Sequence, residues 1–502
     1  MLPDTLSSGG AAPATAASDS LPSTVPMVSA AVAVHVLALV GDLSMGQPPA
    51  QSQRAACLAA QVARLDGAGP QGILHARLVA LLRWSGCTAN AAGFAHLLGD
   101  DVGGREAMLR QALPPDHPLT FSNIEPLARI HCEVAGDVAG MLGLPAEVEA
   151  GLRHVWEHYD GGGAPQQLRG EQVPAVVYYT TLAGDLDILS RTHDVPGALR
   201  MVRGFGGSKY PAPLAERVVG QAGAWLAELE RQEEWPDLSG SALALPAHEV
   251  PLSIVADLIE LKLPWLTGYS RRVSELAARA AALAGLPAAQ RDQLVRAALI
   301  HGIGRVSVSN SVWERATRPD AADWERIRLA PYWTARAGAL IPALRAEAGL
   351  ASQLYERLDG SGYFRGLDRE TLGHPARLLA AAAAYAALCA RRPWREALTA
   401  AEATALLAQQ AAAGLFDGDA VRWVVAAAAG EGAPLPVRKG LLSEREVEVL
   451  RRISLGESNK EAARVMQISP STVRTHVESI FRKLQCSTRA AATLKGLNLG
   501  LI

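Results

Sequence analysis

Aromatic side chains make up only 5% of this 502-residue chain, and cysteine occurs five times, at 57, 87, 132, 389 and 486. The cysteines form no close pair and no metal-like spacing. That excludes a disulfide framework, and an odd, scattered set is the usage of a reducing cytoplasm. They read as small packing residues. No apolar run reaches the roughly twenty residues that a membrane-spanning helix needs. The longest, 27–40 and 378–390, fall short, and the first holds His35. Both read as buried helices of a soluble protein, with no membrane partner. No charged segment precedes an apolar run at the start, so no signal peptide is expected. Net charge is nearly absent too, at −2, which by itself gives no attraction to nucleic acid.

What is present is unevenly spread. From Arg438 to Ile502 there are twelve Lys/Arg against six Asp/Glu, a balance of +6, so the preceding residues carry −8. A basic end on an acidic body is the asymmetry expected when one end meets phosphate. Residues 1–27 are rich in Ala, Ser, Thr and Pro and read as a disordered tail. Helical periodicity fills 28–232 and 249–430, separated by a linker at 233–248. A second linker, 431–439, leads to a terminal domain, 440–502. Ala-rich runs, sparse aromatics and a 3.6-residue period give an all-α fold class with little strand signal.

The terminal domain carries the densest pattern. Ser443 and Glu446 form a capping box that starts a helix with Val447, Leu450 and Ile453 on one face. Gly456 ends it. Asn459 can cap a second, short helix that buries Ala462, Ala463 and Val465. After a turn at Ile468-Ser469, Ser469 or Ser471 caps a third helix, 472–484. Val473, Val477, Ile480 and Leu484 face inward, and Arg474, Thr475, Glu478, Arg482 and Lys483 face out. A short helix with a basic, hydrogen-bonding face, held by two others, is what enters a major groove. A fourth helix, about 488–497, holds Arg489, Leu494 and Leu497.

From Leu442 to Arg489 this stretch resembles the LuxR-type (NarL/FixJ-type) effector domain of bacterial transcription regulators. The matching residues include Glu446, Leu450, Gly456, Asn459-Lys460-Glu461-Ala462-Ala463, Thr472-Val473, His476 and Lys483-Leu484. The resemblance implies double-stranded promoter DNA as partner, read by a site of Asn459, Lys460, Thr472, Val473, Arg474, Thr475, His476, Glu478, Arg482 and Lys483. Lys460 and Thr472 would contact phosphates. Val473 and Thr475 would face base edges or thymine methyls, and Arg474 would pair with guanine. His476, Arg482 and Lys483 would support backbone contacts. Glu478 either reads a cytosine amino group or pairs with Arg474 or Arg482. The fourth helix either joins two copies in a homodimer or covers the domain's own core.

The two helical blocks share a motif. Glu157-His-Tyr-Asp-Gly-Gly-Gly-Ala-Pro165 in the first matches Glu356-Arg-Leu-Asp-Gly-Ser-Gly-Tyr-Phe364 in the second, and each precedes an Ala/Leu helix. That pattern indicates an internal duplication. With Arg271-Arg272-Val273 and Ala298 to Arg305, it resembles the HD-GYP branch of the HD phosphohydrolases. Those all-helical enzymes cleave cyclic di-GMP at a cluster of metal ions. The family's ligand positions are mostly changed. The second block has Tyr269, Gly302, Ala330, Leu354-Tyr355 and Ala383 where ligands belong, and keeps His301. The first has Gln51, Arg83-Trp84 and Val155-Trp156, with His131 and Asp185 corresponding to ligands. One imidazole cannot hold a divalent ion against water, and an arginine repels one although it can receive a phosphate.

The sequence therefore leads to a DNA-binding regulator and to the expectation of no enzyme activity, no catalytic residue, no metal and no cofactor. Its two degenerate HD-type domains would act as sensor or dimerisation modules, with a small-molecule or nucleotide effector, or a protein partner. One alternative is a metal-dependent cyclic-dinucleotide phosphodiesterase with a DNA-binding tail. Another is a dimerisation platform without a ligand.

Overall fold

A computed structural model describes residues 25–232, 248–430 and 441–502. The expected tail and both linkers fall largely outside these residues. The fold is all-α, with one departure. Met27–Ser29 (β1) and Glu249–Pro251 (β2) form a two-stranded antiparallel sheet in which Val28 faces Val250. Met27 thus belongs to a strand rather than to the tail, and Glu249 opens the second block as a strand. Three-residue strands give too short an alternation to show in a sequence period. Each block starts with one of these strands followed by a buried helix, Ala30–Ser44 or Ser253–Glu260, so the sheet joins equivalent points of the two repeats.

The run 27–40 became strand β1 followed by the helix Ala30–Ser44, which is buried along its whole length and wrapped by both blocks. One continuous apolar core spans the two blocks. A polar lock crosses their boundary. Asp101 and Lys262 pair fully buried, and the same carboxylate accepts from the Asn310 backbone at 2.7 Å and the Ser309 hydroxyl at 3.1 Å. A buried pair survives because the remaining lone pairs are also satisfied.

The duplicated loops have the same internal wiring. Glu157 accepts from the backbone N–H of Gln166 (2.7 Å) and Leu168 (3.0 Å). Glu356 accepts from Arg365 (2.8 Å) and Leu367 (2.9 Å) at the same offsets. Asp160 and Asp359 each accept from the N–H two residues on, at 2.7 and 3.0 Å. Gly161 and Gly360 follow with φ of +81° and +76°, which glycine adopts without strain. A Cβ on Gly163 or Gly362 would lie 2.3 or 2.4 Å from the backbone nitrogen of His158 or Arg357.

The five cysteines are free. Among the described residues, no helix is long and apolar enough to cross a membrane.

Candidate nucleic-acid interface and the paired helical centres

The terminal domain consists of helices Glu444–Ser454, Asn459–Met466, Pro470–Leu484 and Arg489–Asn498. Ser443 caps the first, and its N–H donates to Glu446 Oε2 at 2.7 Å, completing the expected box. Glu446 has a second task. Buried at the helix start, it accepts from Lys483 Nζ at 2.6 Å and from Ser479 Oγ at 2.7 Å. Burial pushes its carboxyl up, but the bonds from Lys483, Ser443 and Ser479 outweigh this and bring it down to about 2.

The second helix corrects two expectations. Its cap is Ser458, in a box with Glu461, and Asn459 is the first helical residue. Val465 is 46% exposed while Met466 fills the core, because Met466 lies four and three residues after the buried Ala462 and Ala463 and shares their face, which Val465 does not. Ser469 caps the third helix, with Pro470 at its first position. Val473, Val477, Ile480 and Leu484 are buried as expected.

Lys460, Thr472, Arg474, Thr475, Glu478 and Arg482 are exposed, and His476 is half-buried. Three of the ten expected DNA contacts are placed otherwise. Val473 is fully buried in the domain core, so no base edge can reach it. Lys483 commits its ammonium to Glu446. Asn459 accepts from Arg489 Nη2 at 2.7 Å, while Arg489 Nη1 donates to the Glu457 carbonyl at the same distance, so both residues brace the turn between helices. Glu478 pairs with Arg474 on its own helix at 2.9 Å. Such an exposed pair contributes only about 0.3–0.5 kcal/mol and leaves Arg474 available to a stronger partner.

The fourth helix covers the domain's own core, as one of the two expectations had it, with Ala492 buried there and Gly496 against Leu450, and it also docks on the body. Ala491 and Leu494 enter the core of the helical body, against the Phe121–Met141 helix. Ser487 donates to Glu133, its hydroxyl at 3.1 Å from Oε2, and Lys495 Nζ lies 3.3 Å from Asp137. Thr267 of the second block donates to the Ser454 carbonyl at 2.8 Å. Between the Phe121–Met141 helix and the third helix is a crevice of about 660 Å³, into which Glu125, Arg129, Arg474 and Glu478 open.

The body holds two further centres, equivalent in the duplication. A Cβ on Gly86 would lie 2.2 Å from the His131 carbonyl oxygen, and one on Gly304 would lie 1.9 Å from that of Ala330. The same backbone crossing therefore sets His131 opposite Ala330. In the first centre Arg83 is buried, donates to Gln51 at 2.7 Å and lies 4.0 Å over the Trp84 ring. Gln51 donates on to Asp187 at 3.0 Å. His131 lies 2.8 Å from the Arg83 carbonyl oxygen, and burial holds it down at about 4. Asp185 faces Lys209 at 3.0 Å.

In the second centre His301 Nδ1 donates to the Ala298 carbonyl at 2.7 Å, and burial with Arg305 nearby holds the ring at about 3. Arg305 donates to Tyr355 at 2.9 Å and lies beside Tyr269, whose hydroxyl donates to Ala383 O at 3.0 Å. Among the described residues no group of three or more His, Cys, Asp or Glu side chains is placed to hold a metal ion. Guanidinium groups and aromatic rings fill the places of ligands, so the residues present do not fit the metal cluster of the HD-GYP resemblance.

Comparison with known proteins follows these boundaries. Residues 253–420 match the family described as HD domain, and residues 440–495 match bacterial regulatory proteins of the luxR family. The chain joins an HD domain to a LuxR-family domain. A 3′3′-cGAMP-specific phosphodiesterase 3 of Vibrio cholerae is 26% identical over 73% of this chain and 87% of its own. The nitrate/nitrite response regulator NarP of Escherichia coli is 44% identical over 11% of this chain and 25% of its own, in keeping with the LuxR-type end. A crystal structure of a cyclic GMP-AMP-specific phosphodiesterase of V. cholerae superposes with a TM-score of 0.57, at 20% identity. It covers 82% of this chain and 99% of that one, which shows a shared fold.

These relatives correct the expectation of a chain without enzyme activity. The body is similar in sequence to a phosphodiesterase along most of its length, so its kinship points toward catalysis. Missing ligands in a sequence do not by themselves establish an inert body. The LuxR-type domain supports DNA binding and a role in transcription regulation.

Proposed function

We propose that this chain is a transcription regulator whose helical body takes a cyclic dinucleotide of the 3′3′-cGAMP class and thereby controls a LuxR-type domain bound to promoter DNA. The observation that carries this reading is the docking of the effector domain on the body through Ala491, Leu494, Ser487 and Lys495. A docked domain has a free counterpart, and a ligand that prefers one state shifts the other's population. The ligand class comes from the relatives' names, and the arginines in both centres suit a phosphodiester.

The DNA-reading face is exposed in the docked state, with Arg474 and Glu478 at the mouth of the 660 Å³ crevice beside the Phe121–Met141 helix. A recognition helix seats in a groove about 12 Å wide, and in this reading a duplex on that face competes with the docked body. Lys460 and Thr472 then contact phosphates, Arg474 and Thr475 reach base edges, and His476 and Arg482 lie beside the backbone. Release also frees Leu494 and Leu497 to pair two copies on a two-fold site. Such a regulator works beside the chromosome, in the cytoplasm.

Fluorescence anisotropy of the full chain with upstream fragments of its own genome tests this, with and without 3′3′-cGAMP. A change in DNA affinity of about five-fold or more is expected. Unchanged affinity at saturating dinucleotide overturns the control, and no DNA binding in either state overturns the regulator. Chromatography of the same samples for linear dinucleotide decides whether the body also ends the signal by hydrolysis.

A further inference from the structure

The first of the two duplicated centres opens on a cavity of about 480 Å³, bordered by Arg83, Trp84, Asp185 and Lys209. That volume is within the range of small-ligand sites, about 300–1,000 Å³. Its walls include the indoles of Trp84 and Trp156. Two of its polar atoms, Arg83 Nε and Thr180 Oγ1, are buried with no hydrogen-bond partner, on residues 5% and 1% exposed. A buried polar group without a partner costs stability, so both are suited to a ligand that supplies acceptors. At the same cavity Asp185 offers a carboxylate, and Lys209 Nζ stands 3.0 Å from it with a side chain 22% exposed.

We infer that this cavity binds a guanine nucleotide, base inward. A carboxylate receives two donors side by side, and guanine presents N1–H and the N2 amino group on one edge, next to O6. Adenine has a single donor group there. Indole walls cover a flat ring at little entropic cost. Arg83 and Thr180 meet acceptors on the ring, and Lys209 meets O6 or the phosphate. The inference rests on the proposed function in taking this centre as a nucleotide site, and adds which base it reads and by which residue.

Tryptophan fluorescence of the full chain, titrated with GMP and with AMP, tests it. GMP should bind at least about tenfold more tightly than AMP. Asp185→Asn should remove that preference, weakening GMP by about tenfold or more and leaving AMP unchanged. Trp156→Leu should weaken both. If Trp156→Leu melts the fold by circular dichroism, Thr181→Leu, which narrows the same cavity, takes its place. Equal affinity for GMP and AMP overturns the assignment, as does binding that Asp185→Asn leaves intact. Binding of 3′3′-cGAMP without any GMP binding overturns the pocket while leaving the proposed function standing.

Discussion

The two halves of the duplicated body have kept different things. Their loops match bond for bond, with Glu157 and Glu356 each holding two backbone N–H groups. Their centres have gone separate ways: Arg83, Gln51 and Trp84 fill the first, and His301, Arg305 and Tyr269 the second. Both clamp carboxylates are buried, so breaking their bonds to the loop N–H groups loses stability at once and the clamp is fixed by folding. A side chain that served only a bound group carries no such penalty once another fills its space.

The sharpest way to break this comparison is at the boundary of the halves. Lys262→Met leaves buried Asp101 with only Arg105, 3.9 Å away, as a cation and should cost about 3 kcal/mol in chemical denaturation, the low end for a broken buried pair. A much smaller loss would mean that the halves are not locked there. Next come the clamps. Glu157→Gln and Glu356→Gln should each cost about 1.5–3 kcal/mol, and by similar amounts, since each loses one charged acceptor of two bonds. Unequal costs would show that the loops only look alike.

Smaller effects separate core from reading face in the terminal domain. Val473→Ala should destabilise by about 1–2 kcal/mol, because its side chain is buried among other core residues. Arg474→Ala, exposed, should leave the melting curve unchanged. Smallest is the pH response of Glu446. Its folded carboxyl sits near 2, below the ordinary value of 4.5. A depressed carboxyl stabilises above its unfolded value and loses that contribution as pH falls through its folded one. The protection of amides in the effector helices, taken relative to exchange of the unfolded chain at the same pH, should therefore fall between pH 4.5 and 2, and Glu446→Gln should flatten that slope.

These contrasts also mark what the sequence made legible. The capping box at Ser443, the inward stripe from Val473 to Leu484 and the repeated loops are local patterns, and all have the expected geometry. The shift from Asn459 to Ser458 as cap was within reach, since Ser458 and Glu461 have the same box spacing as Ser443 and Glu446. The clamp role of Glu157 and Glu356 was signalled only by their repetition. Loss of Lys483 to Glu446, the use of Leu494 against the body and the bond from Arg83 to Gln51 depend on residues far apart in the chain, which no window of sequence displays. The expectation of an inert body failed because absent ligands were weighed without the kinship of the whole body to phosphodiesterases.

The most direct measurement is DNA binding by the full chain and two variants of the exposed face, over specific and unrelated sequences and a range of salt. Arg474→Ala should erase about 1–3 kcal/mol of sequence preference. Lys460→Ala should weaken all sequences alike and lower the salt slope by about one. If both variants bind as the parent does, the helix at Pro470–Leu484 is not what reads DNA.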